Sequence, residues 1–266
     1  MKEPFIGSEA LGCGALGWHQ LRTQYRAVFP NVYLSNGIEP SVQQRITAAW
    51  LWSRRQGTIA GAAAAALHGA KWIADDVLVE LIHSNPHPPR GCEVTTPART
   101  AFDIGRRVAR RTAVARLDAL ARAAGFKVND VFDVAKCHPG SRGLRQLDAV
   151  LALVDAGAQS PQESYLRLLL IEGGLPRPQT QIAVLGTDGF PIAYLDMGWP
   201  DRMVAVEYDG DQHRTDRRQY VKDIRRIEML ERMGWIIVRV VAEDHPVDIL
   251  RRVRAALAAS SVRSLL

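Results

Sequence analysis

The sequence predicts a two-part α/β protein of the α+β type, with a mostly helical N-terminal half followed by a mixed β-sheet flanked by helices. Apolar residues at three- and four-residue spacing indicate several helices before residue 157. After residue 158, the patterns follow in the order helix, three strands, helix, strand, helix. The stretch from Gly157 to Ser160 is small and polar, so we place the two domains at 1–157 and 158–266.

The N-terminal half is predicted to contain mainly short helices. Thr96-Pro97 marks one helix start, because threonine caps a helix and proline is favoured at its first position. The predicted elements are short helical pieces and a hairpin within 5–34, helices over 43–55 and within 58–70, strands over 77–83 and 92–95, and helices from 96 and over 112–124, 128–135 and 143–154.

The C-terminal half begins with a helix that starts at Ser160-Pro161 and ends at Gly173-Gly174. Asp188-Gly189 is typical of a type I′ hairpin turn, and Trp199-Pro200-Asp201 indicates a second turn. The predicted strands cover 181–185, 190–196, 203–208 and 236–241, and the predicted helices 220–233 and 247–259.

Four polar residues lie where the two central strands of this half end. Asp196 ends one strand, and Glu207, Asp209 and His213 end or follow the next. Antiparallel neighbours bring such ends together, so three carboxylates and an imidazole are expected at one sheet edge. Carboxylates that share a site need a cation, and hard oxygen ligands suit Mg²⁺ or Mn²⁺. The pattern is typical of a metal-dependent phosphodiesterase.

Each of these residues also has a structural interpretation. Ser160 and Glu163 have the spacing of a helix capping box. Asp196 is also suited to end a strand before a turn. Glu207 and Asp209 lie on the same side of one strand, which is equally compatible with a solvent-exposed sheet edge. His213 follows a polar DGDQ stretch, which is typical of an exposed loop.

The segment from Ser160 to Val241 resembles the endonuclease-like domain related to very-short-patch-repair endonucleases, within the PD-(D/E)XK nuclease superfamily. The motifs that carry the resemblance are SPQESYLRLLL, LPRPQTQI, the aspartate of YLDMGWP, VAVEYDGDQH, KDIRR and LERMGWIIVRV. The resemblance implies a restriction-endonuclease-like fold. It also implies an acidic site of Glu163, Asp196, Glu207 and Asp209, with His213 as an acid or base.

The resemblance therefore implies an endonuclease that hydrolyses DNA phosphodiesters with Mg²⁺ or Mn²⁺, held by Asp196, Glu207 and Asp209. One position departs from the superfamily pattern, since Asp209 stands where a catalytic lysine would follow Glu207 by two residues. The repair-endonuclease branch also lacks that lysine. The competing interpretation is a non-catalytic DNA-binding or antitoxin-like regulator whose nuclease fold is degenerate or only holds DNA.

The N-terminal half resembles antitoxin-like domains of the AbiEi kind, which are often fused ahead of such nuclease-like domains in actinobacterial proteins. The motifs are LGWHQLRTQYRAVFPNVY, AGAAAAALHGA and TTPARTAFDIGRR. This implies a winged helix within 5–34 that binds DNA, and it leaves a cognate toxin as a partner of unknown identity. Pro30-Asn31-Val32-Tyr33 stands where a basic wing is usual, so a domain that only supports the other half is equally compatible.

Cationic residues follow the acidic motif closely. Arg217, Arg218, Lys222 and Arg226 are candidates for contacts with DNA phosphates, and the net charge of +6 agrees with an anionic partner. The alternatives are a solvated helix face and an Asp223–Arg226 ion pair. Aromatic residues form no stacking series, which favours double-stranded over single-stranded DNA.

Three features of the sequence argue against zinc-ribbon, secreted and membrane proteins. Cys13, Cys92 and Cys137 are far apart, which argues against a zinc ribbon and suits a reducing cytoplasm. The first ten residues are too polar for a secretory signal. The alanine run 62–66 is too short for a membrane span, so we expect a cytoplasmic protein without membrane contact.

Overall fold

The structure is a computed structural model that describes residues 2–82, 92–210 and 217–263. Helices and strands occur in both parts of the chain, which confirms the α+β class. The chain divides into two compact units, Met1–Val154 and Asp155–Leu266. The division lies just before the predicted boundary at residue 158.

The first unit begins with a small antiparallel sheet and two short helices. The strand order is β1-β3-β2, so β2 lies at an edge and, among the strands that the structure describes, pairs only with β3. The predicted AVFPNVYL hairpin is confirmed, and Asn31 at its tip has a positive φ of 63°. The elements are β1 (Phe5–Ile6), α1 (Gly7–Gly12), α2 (Trp18–Gln24), β2 (Tyr25–Phe29) and β3 (Val32–Ser35).

The rest of the first unit is mainly helical. The TIA of TIAGAAAAALHGA was predicted as helix, but Thr58–Ala60 is a strand, because it pairs with the strand at Glu80–Ile82. Only Val94 of the predicted strand over 92–95 forms a bridge, to Ile59. The elements are α3 (Val42–Trp52), β4 (Thr58–Ala60), α4 (Gly61–Leu67), β5 (Glu80–Ile82), α5 (Pro97–Arg107), α6 (Arg110–Ala124), α7 (Val128–Lys136) and α8 (Leu144–Leu151).

The second unit is a four-stranded sheet with helices, and its predicted element order is confirmed. The strand order is β6-β7-β8-β9, with β8 and β9 parallel and the other neighbours antiparallel. The elements are α9 (Pro161–Glu172), β6 (Gln179–Leu185), β7 (Pro191–Trp199), β8 (Val204–Tyr208), α10 (Arg217–Arg232), β9 (Ile236–Val240) and α11 (Pro246–Arg263).

Both predicted turns of this sheet need correction. Trp199 belongs to β7, because it pairs with Val204, and the chain reverses through a short 3₁₀ helix at Pro200–Arg202. The β6–β7 turn is not of type I′, because Gly189 has a positive φ of 81° while Asp188 does not.

Two apolar clusters hold the second unit together. One joins α9 and α11 to the sheet, through residues such as Leu170, Val206 and Val253. The other joins α10 to the sheet, through Leu195, Ala205 and Leu230. The helices thus fix the strands that carry the acidic residues. Within the described ranges, no helix combines the length and the apolar character that crossing a membrane requires.

Candidate functional site

The pairing of β7 with β8 places Asp196 beside Glu207. Met197 pairs with Val206 in an antiparallel register. Asp196, which precedes Met197, therefore lies beside Glu207, which follows Val206. A cavity of about 150 Å³ lies at this position. The charged residues that line it are Asp196, Glu207, Asp209, Asp223, Arg226 and Arg239. Four carboxylates against two guanidinium groups leave a formal excess of two negative charges among these lining residues.

Glu207 is paired with an arginine from α10. Arg226 donates from Nη1 to Oε2 at 3.1 Å and from Nη2 to Oε1 at 2.5 Å. Only 11% of the Glu207 side chain is exposed. These hydrogen bonds raise the pKa of Arg226, so its guanidinium stays charged. The guanidinium of Arg226, a predicted DNA phosphate contact, therefore lies in the cavity and bonds to Glu207.

Asp196 is the electrostatically strained member of the site. Its Oδ2 accepts a hydrogen bond from the backbone N–H of Tyr208 at 2.9 Å. Burial raises the pKa of Asp196 to about 7, and the negative charges of Glu163 and Glu207 add to this effect. The Tyr208 hydrogen bond and the charge of Arg226 oppose the rise only in part. The site would thus gain free energy from further positive charge.

Glu163 caps its helix in part as its spacing predicted, but the backbone N–H that its side chain accepts from belongs to Gln159 and not to Ser160. Its N–H donates to Ser160 Oγ at 3.2 Å, and its carboxylate accepts from Ser160 Oγ at 2.9 Å and from the Gln159 N–H at 2.8 Å. The residue is buried, with 8% of its surface exposed. Its charge still acts on Asp196, so capping and a part in the acidic site are both compatible with the geometry.

Asp209 forms an ion pair with Arg239 of β9. Its backbone N–H donates to the carbonyl of Val240 at 2.8 Å. Arg239 reaches this position because the parallel register places it beside Glu207. The sequence contains a signal for this residue, since a single arginine inside the apolar run IIVRV indicates an acidic partner nearby.

The remaining predicted residues lie around α10. His213 lies outside the described residues. Arg217 and Arg218 are the first residues of α10, and their side chains are outside the described part of the structure. Lys222 is exposed on the same helix. The structure therefore brings together Asp196, Glu207, Asp209 and Arg226, with Glu163 close enough to act on Asp196.

The donor atoms of the site suit a hard divalent cation. Asp196 and Glu207 are adjacent carboxylates, and the pKa of Asp196 is raised mainly by burial and further by the charge of Glu163. Arg226 now bonds to both oxygens of Glu207, so a cation would share that carboxylate or displace the arginine. Within the described ranges, no three or more His, Cys, Asp or Glu side chains are already grouped to hold a metal ion.

Comparisons with known proteins identify relatives but no activity. Proteins from two strains of Mycobacterium tuberculosis, both described as uncharacterized, are 32% identical to the chain over 171 residues. The match covers 64% of this chain and 61% of each relative, so the chain spans less than two thirds of their length. No protein-family model matches the chain, and no solved structure matches it. The function is therefore argued from the site.

Proposed function

We propose that the chain is a divalent-metal-dependent endonuclease that hydrolyses phosphodiester bonds of double-stranded DNA. The observation that carries the proposal is the cavity where Asp196 and Glu207 meet, since its lining has two more carboxylates than guanidinium groups and burial raises the pKa of Asp196. The resemblance of the segment to endonuclease-like domains supports the same activity.

Asp196 and Glu207 would hold Mg²⁺ or Mn²⁺, with Asp209 or Glu163 as further acidic groups. A bound ion supplies an activated water molecule and positive charge for the reacting phosphate. The Tyr208 N–H orients Asp196, and Arg226 orients Glu207 through its two hydrogen bonds. His213 is the proposed acid or base, on the basis of its position in the sequence alone.

The proposed DNA contacts are cations of α10. Lys222 and Arg225 are exposed on this helix, and Arg217 and Arg218 begin it. Phosphate contacts of this kind hold the duplex in register without reading its sequence. Arg226 belongs instead to the acidic site, where its charge supports Glu207. The three cysteines are exposed and free, which suits the cytoplasm as the place of action.

The second candidate function is a non-catalytic DNA-binding regulator, of the antitoxin-like kind that has a toxin as partner. One observation favours it. Arg226 neutralises Glu207 and Arg239 neutralises Asp209, so two of the proposed ligands have counter-ions without a metal. Asp209 at the position of the superfamily lysine agrees with this interpretation.

Cleavage of supercoiled plasmid DNA distinguishes the two functions. The purified chain should nick the plasmid with Mg²⁺ or Mn²⁺, and a chelator should stop the reaction. Asp196→Asn should abolish nicking, because it removes a proposed ligand. Asp201→Asn is the matched control, since Asp201 lies close by in the chain with 77% of its side chain exposed. DNA binding without any metal-dependent cleavage would instead identify the regulator.

A further inference from the structure

The first unit contains a second cavity, of about 330 Å³, along the open edge of β2. We call it the edge groove. Arg26, Ala27, Val28 and Phe29 of β2 form one wall, and residues 76–79 form another. Arg45 of α3 also lines it.

The wall formed by β2 offers backbone groups that have no partner among the described residues. Asn36 N–H donates to the Gln24 carbonyl at 2.9 Å, and the pairing continues through Arg26 with Leu34. Because hydrogen-bonded pairs alternate in an antiparallel ladder, the N–H and C=O of Ala27 point away from β3, toward the edge groove. Residues 76–79 face this edge without a regular strand. An open strand edge of this kind accepts another strand.

Arg45 is a half-buried cation of the edge groove, whose lining also includes Asp76. Its Nε is buried and has no hydrogen-bond partner within the described residues, where its guanidinium forms no ion pair. The undescribed segment 83–91 of this unit, HSNPHPPRG, contains no acidic residue. Arg26, the other cation of the groove, already donates to the carbonyl of Ile38 at 2.7 Å and to Glu39 at 3.4 Å. A guanidinium whose Nε is buried without a partner favours a carboxylate ligand, and the groove lining holds two cations but one carboxylate.

Apolar side chains complete the groove. Val28, Phe29 and Val77 line it, and Leu78 beside them is 85% exposed. A small inorganic anion would leave these side chains in water, and a DNA duplex is too wide to reach the edge of one strand. A peptide segment can instead satisfy the backbone of β2, cover the apolar walls and reach Arg45.

We propose that the edge groove binds an extended peptide segment of a partner protein as an additional strand beside β2. An Asp or Glu side chain of that segment pairs with Arg45. Backbone hydrogen bonds between the peptide and Ala27 supply affinity that does not depend on the peptide sequence. The ion pair with Arg45 and the contacts with the apolar walls supply specificity. The inference does not depend on nuclease activity, because every contributing residue lies in the first unit.

Selection of a phage-displayed random-peptide library on the intact chain tests the proposal. Enriched peptides should contain one acidic residue among β-branched and aromatic residues. A fluorescein-labelled copy of the best peptide should lose about tenfold or more in affinity when its acidic residue is changed to the amide. Arg45→Met should cause a similar loss, whereas Arg22→Met, an exposed change outside the groove, should cause none.

Ala27→Pro tests the strand geometry separately. It removes an N–H that points away from β3, and proline is tolerated at such edge positions, so the chain should fold while peptide affinity falls. Enrichment of no peptide, or of peptides indifferent to Arg45→Met and to the amide exchange, would overturn the proposal. Weaker binding of a DNA duplex to Arg45→Met, with no effect on the peptide, would also overturn it and assign the cation to nucleic acid.

Discussion

The guanidinium of Arg226 and the carboxylate of Glu207 form a two-point ion pair inside the acidic cavity. The same arginine donates from Nη2 to the carbonyl of Tyr194 at 2.6 Å. Tyr194 belongs to β7 and Glu207 to β8, so one side chain from α10 joins two neighbouring strands. It follows that any metal bound at Glu207 competes with a cation that the protein already supplies.

Arg226→Met should make this competition measurable. Without metal, the variant should lose about 1–3 kcal/mol of stability, because Glu207 is left largely buried without a counter-ion. The loss should be smaller than for a fully buried pair, since 33% of the Arg226 side chain is exposed. Mn²⁺ should bind the variant more tightly than the wild type and restore much of the stability.

Denaturant unfolding with and without Mn²⁺, together with titration calorimetry, checks this prediction. Arg225→Met is the matched control, because Arg225 is the exposed neighbour on α10. Unchanged Mn²⁺ affinity in Arg226→Met would show that the arginine and the metal do not share Glu207. If the heat of Mn²⁺ binding to Asp196→Asn equals that of the wild type, the ion does not bind at the proposed metal site.

The pKa of Asp196 predicts a pH-dependent stability. Its folded value of about 7 lies above the ordinary value of 3.8, so its favourable contribution is complete below about pH 4 and is lost as the pH rises through about 7. Asp196→Asn does not titrate and still accepts from the Tyr208 N–H. In the presence of a chelator, the variant should gain about 1–4 kcal/mol over the wild type between pH 4 and pH 8.

Unfolding curves of both proteins across this range give the difference directly, because all other groups titrate in both. Asp201→Asn, at an exposed position, should show a difference that does not change with pH. If the stability difference between Asp196→Asn and the wild type does not change with pH, the Asp196 carboxyl keeps an ordinary pKa in the folded protein. The acidic site would then be better hydrated than its burial indicates.

Glu163 allows capping to be separated from electrostatics. Glu163→Gln should retain the capping hydrogen bonds, because glutamine also occupies this position of a capping box. It should lower the pKa of Asp196, since it removes a neighbouring negative charge. Ser160→Ala should do the reverse, costing about 1 kcal/mol of stability with little change at Asp196. Carboxyl NMR titration of Asp196 in the two variants decides whether Glu163 belongs to the acidic site.

The sequence predicted local features of the second unit well. Alternation and the turn residues were sufficient for the β7–β8 hairpin, and the hairpin brought Asp196 and Glu207 together. The partners of these carboxylates were not predicted. Arg226 meets Glu207 only because α10 packs on the sheet with a particular rotation, which its own sequence pattern leaves open. Arg239 meets Asp209 through the register of a parallel pair, which no turn specifies.

The domain boundary gives a further example. Composition placed it at Gly157 to Ser160, but Asp155 already contacts the second unit. Its Oδ1 accepts from Thr180 Oγ1 at 2.8 Å and from the Gly157 N–H at 2.9 Å. A fragment of residues 154–266 should therefore fold alone and unfold at a higher temperature than a fragment of residues 158–266. Equal melting temperatures would show that the Asp155 contacts add no stability.

The basic side of α10 provides the test of DNA binding that depends least on catalysis. Lys222 and Arg225 of α10 are exposed, whereas Arg226 of the same helix is already bonded to Glu207. Lys222 and Arg225 should therefore contribute to DNA binding, and Arg226 should not. Lys222→Ala combined with Arg225→Ala should weaken binding to all duplex sequences alike. Each lost phosphate contact should also reduce the slope of log affinity against log salt by about one unit. Arg232→Ala is the control, because Arg232 is exposed near the end of the same helix, where it pairs with Glu228. Gel-shift titrations at several salt concentrations measure the slope.

If the double variant keeps the wild-type slope, α10 does not contact phosphate, and the cations that bind DNA must be sought on another surface. A changed sequence preference with an unchanged slope would instead assign these residues to base contacts, because phosphate contacts alone carry no sequence information.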